Sequence, residues 1–313
     1  LVCGRDSLSY GELKEQPMLY SLLQKLRNRL RAWRLRRQAQ RGPRREFPAA
    51  VPLIVDCRLC GASACRHDML GPVALTHAQA LENTAYRLLR CKLCDVVYLD
   101  PLPSPADLKM LYEETRQFED MPCADPAVAS RTVNSYARRL AQLRLFPAAG
   151  ESILEIGAGL AWISKACKQR DARVRTIAQD ISAECAGQCA WVDEYIVGPL
   201  EKVPPDQSFR LVSLTHVIEH LTNPGHLIAQ LAGYLAHGGH AYFTAPFRPP
   251  LWQPRDGFAP WLTYGYLHVP AHISYLSRRW FESVAAANGL ELIHWDDSAD
   301  GHQVFEAILR RNT

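Results

Sequence analysis

Ile153-Leu154-Glu155-Ile156-Gly157-Ala158-Gly159-Leu160-Ala161 is the stretch whose reading decides the fold. Apolar residues from Ser152 to Ile156 read as a buried strand, and the two glycines remove side chains where the backbone must swing into a helix. In a sheet of parallel strands, ligands lie beyond the carboxyl ends of the strands, so this turn is expected to line a site. Upstream, Val133, Tyr136, Ala137, Leu140, Leu143 and Leu145 keep helical spacing until Pro147 and Gly150 end the run. Downstream, strands expected near 173–178, 195–197, 211–215 and 240–245 alternate with helices near 161–169, 182–190 and 224–236. A tail of helix 278–288 and strands 290–294 and 303–309, with Gly301 in the turn, adds an antiparallel ending. The expected fold class is α/β, a doubly wound, mostly parallel seven-stranded sheet.

The rest of the chain is organised around that core. With 313 residues, 48% hydrophobic and 22% charged, it is long enough for two domains and apolar enough to bury a core. No run of eighteen apolar residues is present and the amino end lacks a secretory pattern, which reads as a cytoplasmic protein. The net charge is only +4, yet basic residues crowd the stretch 25–45, from Lys25 through Arg31, Arg36 and Arg37 to Arg45. Leu22, Leu23, Leu26, Leu30 and Trp33 recur at helical spacing in and just before it, a pattern that can lie on an anionic membrane surface but more commonly packs on its own protein or a partner. A peripheral place at the membrane follows from the first of these.

Cys57-Arg58-Leu59-Cys60 and Cys91-Lys92-Leu93-Cys94 are two knuckles of the kind that supplies four thiolates to a structural zinc ion. Cys65 and His67 lie close enough in sequence to compete, and a hairpin or helix is expected near 78–85. Pro101, Pro103 and Pro105 then make an extended connector, followed by a helix over 106–112. The resulting division is a basic helical segment and linker at 1–50, a zinc-binding module at 51–105, and a catalytic domain at 106–313 with a cap insertion at about 247–273.

A glycine turn alone serves a nicotinamide dinucleotide as readily as any other nucleotide cofactor. Here an acid, Glu155, closes the strand before the glycines, and the third glycine of the dinucleotide pattern is missing. A carboxylate repels a pyrophosphate but attracts the ammonium and sulfonium charges of S-adenosylmethionine. Asp180, just past the second strand, is placed to accept from ribose hydroxyls.

Residues 153–161, Asp180, His216-Val217-Ile218-Glu219-His220-Leu221 and Leu235-Ala236-His237-Gly238-Gly239 together resemble the class I S-adenosylmethionine-dependent methyltransferases of the small-molecule and glycan-modifying type, over roughly 130–310. The tract 86–103 resembles the zinc knuckle and proline connector fused before many of them. The resemblance implies that Glu155, Gly157 and Gly159 line the methionine and ribose, that Asp180 holds the ribose, and that Thr215 and His216 face the methionine part. It also implies a biosynthetic role on a small-molecule or glycan-precursor acceptor. Two departures stand out: Pro199 and Glu201 replace the usual acid near the adenine, and Phe209-Arg210 opens the fourth strand where Phe-Asp is common. A catalytically inactive binding or assembly protein, and an RNA or protein methyltransferase, are therefore the alternative readings. Arg87, Arg90 and Lys92 would suit phosphates, but no interleaved aromatics or RNA-binding motif accompany them, which disfavours nucleic acid.

His216-Val217-Ile218-Glu219-His220 also matches the His-x-x-Glu-His pattern of inverted zinc proteases, which requires one helix through all five residues. The run 211–215 before it reads as a strand, so that reading is set aside. Methyl transfer is an in-line displacement in which a base is needed only if the acceptor must lose a proton. His216, at the carboxyl end of a strand, and His268 and His272, in an insertion rich in Trp252, Trp261, Tyr264 and Tyr266, are the candidates. His220 and Glu219 read as residues that hold the turn.

Overall fold

The computed structural model describes residues 51–75, 85–111, 126–298 and 303–312; the basic stretch 25–45, most of 78–85 and Gly301 lie outside them. In chain order the strands are β1 (Val51–Val55), β2 (Cys65–Val73), β3 (Tyr86–Cys91), β4 (Val97–Asp100), β5 (Ser152–Ile156), β6 (Arg175–Asp180), β7 (Glu194–Val197), β8 (Phe209–Thr215), β9 (Leu235–Pro246), β10 (Ser274–Tyr275), β11 (Leu290–Ser298) and β12 (Val304–Arg311). The helices are α1 (Pro105–Lys109), α2 (Pro126–Leu143), α3 (Trp162–Arg170), α4 (Pro224–Tyr234) and α5 (Arg278–Ala287).

Seven strands form one sheet in the order β11-β12-β9-β8-β5-β6-β7. β5 runs parallel to β6 and β8, β6 to β7 and β8 to β9, while β12 is antiparallel to both β9 and β11. Successive side chains of a strand point to opposite faces, and β5 shows the result. Ile153 packs with Leu140, Ile163 and Cys167 from α2 and α3, whereas Leu154 and Ile156 share a core with Leu227, Ile228 and Leu231 of α4 and Trp280 and Phe281 of α5. Helix starts carry their own caps: Asn223 accepts from the His226 amide ahead of α4, and Ser277 accepts from the Trp280 amide ahead of α5.

The helix expected at 182–190 is only a 3-10 turn, Ala186–Gln188. This segment is used instead to back the glycine turn. Asp180 accepts from the Ser182 amide at 2.9 Å, the Cys189 thiol donates to the carbonyls of Cys185 and Gly159, and Trp191 Nε1 donates to the Ala161 carbonyl at 3.0 Å.

The second sheet has the order β1-β2-β3-β4-β10 and is antiparallel at every described pairing. Its last strand, β10, comes from the segment that follows β9, so the two sheets share a chain passage. Trp252, Phe258, Trp261, Tyr264 and Val269 of the insertion bury themselves against Leu70, Leu88, Val97 and Leu99 of this sheet. The approach is close: a β-carbon at Gly71 would sit 2.5 Å from the Phe258 ring. Trp252, Trp261 and Tyr264 are thus core residues rather than walls of an open pocket, because the small sheet offers them an apolar face.

One buried carboxylate ties the antiparallel edge to α2. Glu306, 3% exposed on β12, accepts from Arg139 Nε at 2.8 Å, from the Tyr242 hydroxyl at 2.9 Å and from His294 Nε2 at 2.8 Å. Removing such a carboxylate strands the charge of its partner, so Glu306→Ala is expected to cost about 3 kcal/mol of stability. Chemical denaturation would show it as a lower midpoint, and Glu306→Gln, which keeps the acceptor oxygen, should lose less.

Candidate active site

The turn after β5 is built from within. Helix α3 begins at Ala161, whose φ of 49° is left-handed and whose side chain cannot cap. Glu155 supplies the missing cap, its two oxygens accepting from the amides of Ile163 at 3.2 Å and Ser164 at 2.7 Å. Burial pushes its carboxyl up to about 7 against the pull of those amides. Glu155 is 4% exposed, so it holds the turn's shape from below, with its charge directed at the helix terminus.

Gly157 takes φ +60°, and a β-carbon there would lie 2.4 Å from Val217 Cγ2. The turn after β5 and the turn after β8 therefore touch at a point where only glycine fits. Asp180, at the end of β6, accepts from the Gly159 amide at 2.8 Å, and the Tyr195 hydroxyl donates to the Gly159 carbonyl at 2.8 Å. A half-buried carboxylate with one oxygen on each of two amides still has lone pairs for two hydroxyls.

At the end of β8, Thr215 pairs with Thr244 of β9 and His216 turns sharply, with φ 56° and its amide donating to the Thr244 carbonyl at 2.8 Å. Such a backbone is costly for a residue with a bulky side chain and concentrates at functional sites. The His216 side chain is 45% exposed, its Nδ1 stands 3.5 Å from a Glu219 oxygen, and its ring stacks on Tyr266 with centroids 6.1 Å apart. A glycine turn, a half-buried carboxylate and an exposed imidazole thus stand at the carboxyl ends of β5, β6 and β8.

A family model described as "Methyltransferase domain" matches residues 128–295, more than half of the chain. The chain belongs to the methyltransferase-domain family. No curated protein matches it. Among solved structures it is similar to a Haloferax volcanii methyltransferase in complex with the Trm112 methyltransferase activator, at 15% identity and TM-score 0.46 over 60% of this chain and 95% of that one. It is similar also to magnesium protoporphyrin IX methyltransferase from Synechocystis PCC 6803 with bound SAH, at 16% identity and TM-score 0.43 over 59% and 84%. A third is the plantazolicin methyltransferase in complex with SAH, at 12% identity and TM-score 0.45 over 66% and 94%.

Within the methyltransferase domain, the other residues singled out by sequence fall in distinct places. His272 is 6% exposed and its Nδ1 donates to the Tyr266 carbonyl at 2.7 Å, with burial and then His220 pushing its imidazole down to about 3. It is a neutral, inward residue, not a base open to an acceptor. His268 stacks on His272 with centroids 4.7 Å apart, and its Nε2 lies 3.0 Å from the Gly265 carbonyl. Glu201 is engaged by Gln230 of α4, from which it accepts at 3.0 Å. Arg210 stands at the amino end of β8, 3.9 Å from Glu151 and a whole strand length from His216, so its departure from the common pattern does not reach the site.

His216 through His220 do not share a helix: β8 ends at Thr215 and only Ile218–His220 form a 3-10 turn. The protease geometry is absent for that reason. Sequence reading missed Glu219 as the centre of this region. It is 1% exposed, and although burial opposes its charge, His220, His216 and His272 hold its carboxyl below the usual range. No spacing signal reveals this, because His272 arrives from a segment fifty residues on.

The four cysteines converge. One Sγ from each of Cys57, Cys60, Cys91 and Cys94 lies within 4.8 Å of the others, and Cys57 to Cys94 is 3.8 Å. Tetrahedral zinc with ~2.3 Å bonds spaces its sulfurs about 3.8 Å apart, so the donor set fits that ion. His67 cannot compete: its Nδ1 donates to the Cys65 carbonyl at 2.8 Å and its Nε2 meets the Tyr98 hydroxyl at 3.0 Å. Cys65 sits 3.3 Å from Cys91 as a neighbour of the cluster. Arg87, Arg90 and Lys92 are ion-paired to Asp100, to Asp68 and Asp95, and to Asp68 respectively, which occupies the charges a phosphate would need.

Because Gly157 combines a left-handed backbone with the Val217 contact, Gly157→Ala is expected to cost about 1–2 kcal/mol in backbone strain alone. It should also weaken S-adenosylmethionine binding about tenfold or more, an outcome that thermal denaturation and calorimetric titration of the same sample would check. An unchanged affinity would show that this turn does not cradle the donor.

Proposed function

We propose that this methyltransferase transfers the methyl group of S-adenosylmethionine to a small-molecule acceptor, a glycan precursor being the narrower class, and that His216 receives the proton the acceptor gives up. The observation that carries the reading is the exposed His216 imidazole, held by Glu219 beside the glycine turn. When bound, the donor supplies a methyl carbon already activated by positive sulfur. What the chain adds is placement, exclusion of water and a proton acceptor at the right atom.

Gly157, Gly159, Asp180, Thr215 and His216 are assigned to the donor, with Glu155 acting through the turn it caps. Asp180 accepts from the ribose hydroxyls. Ile181, 67% exposed directly after Asp180, is an apolar side chain at the mouth of the turn that suits the face of a purine. That contact takes over part of what an acid near the adenine would do, consistent with Pro199 and with Glu201 being bonded to Gln230. Tyr266, half-buried and stacked on His216, is the insertion residue placed nearest the acceptor side. His268 lies one layer further out, on His272.

We assign the four cysteines a structural zinc ion and treat the cysteine module (51–105), the catalytic domain (106–313) and its cap as one working unit. The links are specific. Trp280 Nε1 donates to the Leu59 carbonyl at 2.7 Å, Arg279 to the Leu93 carbonyl at 2.9 Å, and Arg248 to an Asp95 oxygen at 3.1 Å. No helix among the described residues is long and apolar enough to cross a membrane.

Two outcomes test this reading. Asp180→Ala removes charge-assisted bonds worth about 1.5–3 kcal/mol, so calorimetric titration should show S-adenosylmethionine binding weakened by roughly ten- to a hundredfold with the fold intact. Cys94→Ser should purify without the zinc equivalent held by the cysteines and with a lowered melting temperature, since a closed zinc site contributes folding energy outright. Metal analysis beside calorimetry would read both; zinc retained in the variant would overturn the ligand assignment.

A further inference from the structure

Glu219 presents an electrostatic problem that the methyl-transfer reading leaves unsolved. It is a carboxylate 1% exposed, and neither of its oxygens accepts a hydrogen bond. Buried carboxylates are ordinarily paired or hydrogen-bonded, since an uncompensated one costs several kcal/mol. Its ion-pair contacts among the described residues are both histidines, His216 Nδ1 at 3.5 Å and His220 Nε2 at 3.7 Å. No lysine or arginine reaches it in the described part of the molecule.

The histidines around it are oriented by their far nitrogens. His220 Nδ1 lies 2.9 Å from the Ala271 carbonyl, and His272 Nδ1 lies 2.7 Å from the Tyr266 carbonyl. A carbonyl only accepts, so each Nδ1 carries a proton, and Nε2 is the nitrogen left to act as a lone-pair donor whenever the ring is in its neutral form. This is how metal-ligating histidines are fixed: the outer nitrogen donates to a backbone carbonyl and the inner one faces the ion. The two rings meet edge to face with centroids 4.8 Å apart, and one donor atom from each of Glu219, His220 and His272 lies within 4.8 Å of the others. Three lone-pair donors aimed at one small volume repel one another unless a cation sits among them.

We propose that Glu219, His220 and His272 form a second metal site, separate from the cysteine cluster, which takes one divalent first-row transition ion such as zinc. Two imidazoles and a carboxylate with a coordination position left over is the donor set of open, catalytic-type sites, not of closed structural ones. A tetrahedral ion with ~2.0–2.1 Å bonds spaces its donors about 3.3 Å apart, so modest closure of the three side chains completes the set. The remaining position takes a water molecule, whose proton the ion would make easier to remove. Glu219 has two oxygens, so it can hold the ion and steer His216 together. The fold thereby dismantles the His-x-x-Glu-His pattern of residues 216–220 and builds a different triad, with His272 supplied by the insertion in place of His216.

The test uses the full chain with its cysteine zinc in place, titrated with Co2+ and followed by absorption and by metal analysis. We expect one Co2+ per chain to bind saturably, with ligand-field bands and no thiolate charge-transfer band. Glu219→Gln and His272→Gln should each weaken that binding by at least the ~100-fold that loss of an outer-shell partner alone can cost. Zinc in the cysteines should stay unchanged, and His216→Asn should leave Co2+ binding in place. Absence of saturable Co2+ binding by the parent, a thiolate band, or binding that survives both substitutions would overturn the proposal. If one variant fails to fold, the other and the parent's own stoichiometry and spectrum still decide. Metal counting is independent of donor binding, so this result separates cleanly from the Asp180→Ala measurement.

Discussion

Ile273 is the residue through which the two sheets hold each other. Its amide donates to the Glu219 carbonyl at 2.8 Å, in the turn that carries His216, while its own carbonyl accepts from the Leu99 amide at 2.9 Å, at the end of β4. One buried residue thus fastens the turn after β8 to the cysteine-bearing sheet, and β10 continues the join for two residues. Buried backbone groups must be paired, and here the requirement is met only if the insertion, the turn and the small sheet are in register. The placement of His272 against His220, and of Tyr266 against His216, follows from that register.

This arrangement gives the cysteine module a physical role without assigning it a partner. Its sheet supplies the apolar face on which Trp252, Trp261 and Tyr264 are buried, and its knuckles receive Trp280, Arg279 and Ser277 from the start of α5. An insertion anchored on both sides is stiff where it crosses the site, which suits chemistry that depends on alignment. The cysteine cluster and the order of the insertion are therefore coupled through the same packing.

Charge is distributed with similar economy. Glu155 is compensated by a helix terminus, Glu306 by Arg139, Tyr242 and His294, and Asp180 by two amides while keeping lone pairs toward the site. Glu219 alone among these carboxylates has histidines and no hydrogen bond. The contrast sets Glu219 apart from the other three, whose charges are each met by hydrogen-bond donors within the fold.

What the sequence by itself determined was everything local. The strand and glycine turn at 152–159, the parallel alternation, the antiparallel tail and the paired knuckles are all written in short-range periodicity, turn residues and spacing. The position of Asp180 at the end of β6 was legible because it closes an apolar strand, and the grouping of the cysteines because each pair is contiguous in sequence. The tertiary structure alone decided what distant segments do to one another. It turned the expected helix at 182–190 into a backing for Gly159 and Ala161, sent the tryptophans of the insertion into a core shared with another sheet, and withdrew His272 from solvent. Above all it gathered His272 onto Glu219 and His220, a meeting across some fifty residues that no periodicity encodes, because it depends on how two sheets pack and not on the conformation of either segment.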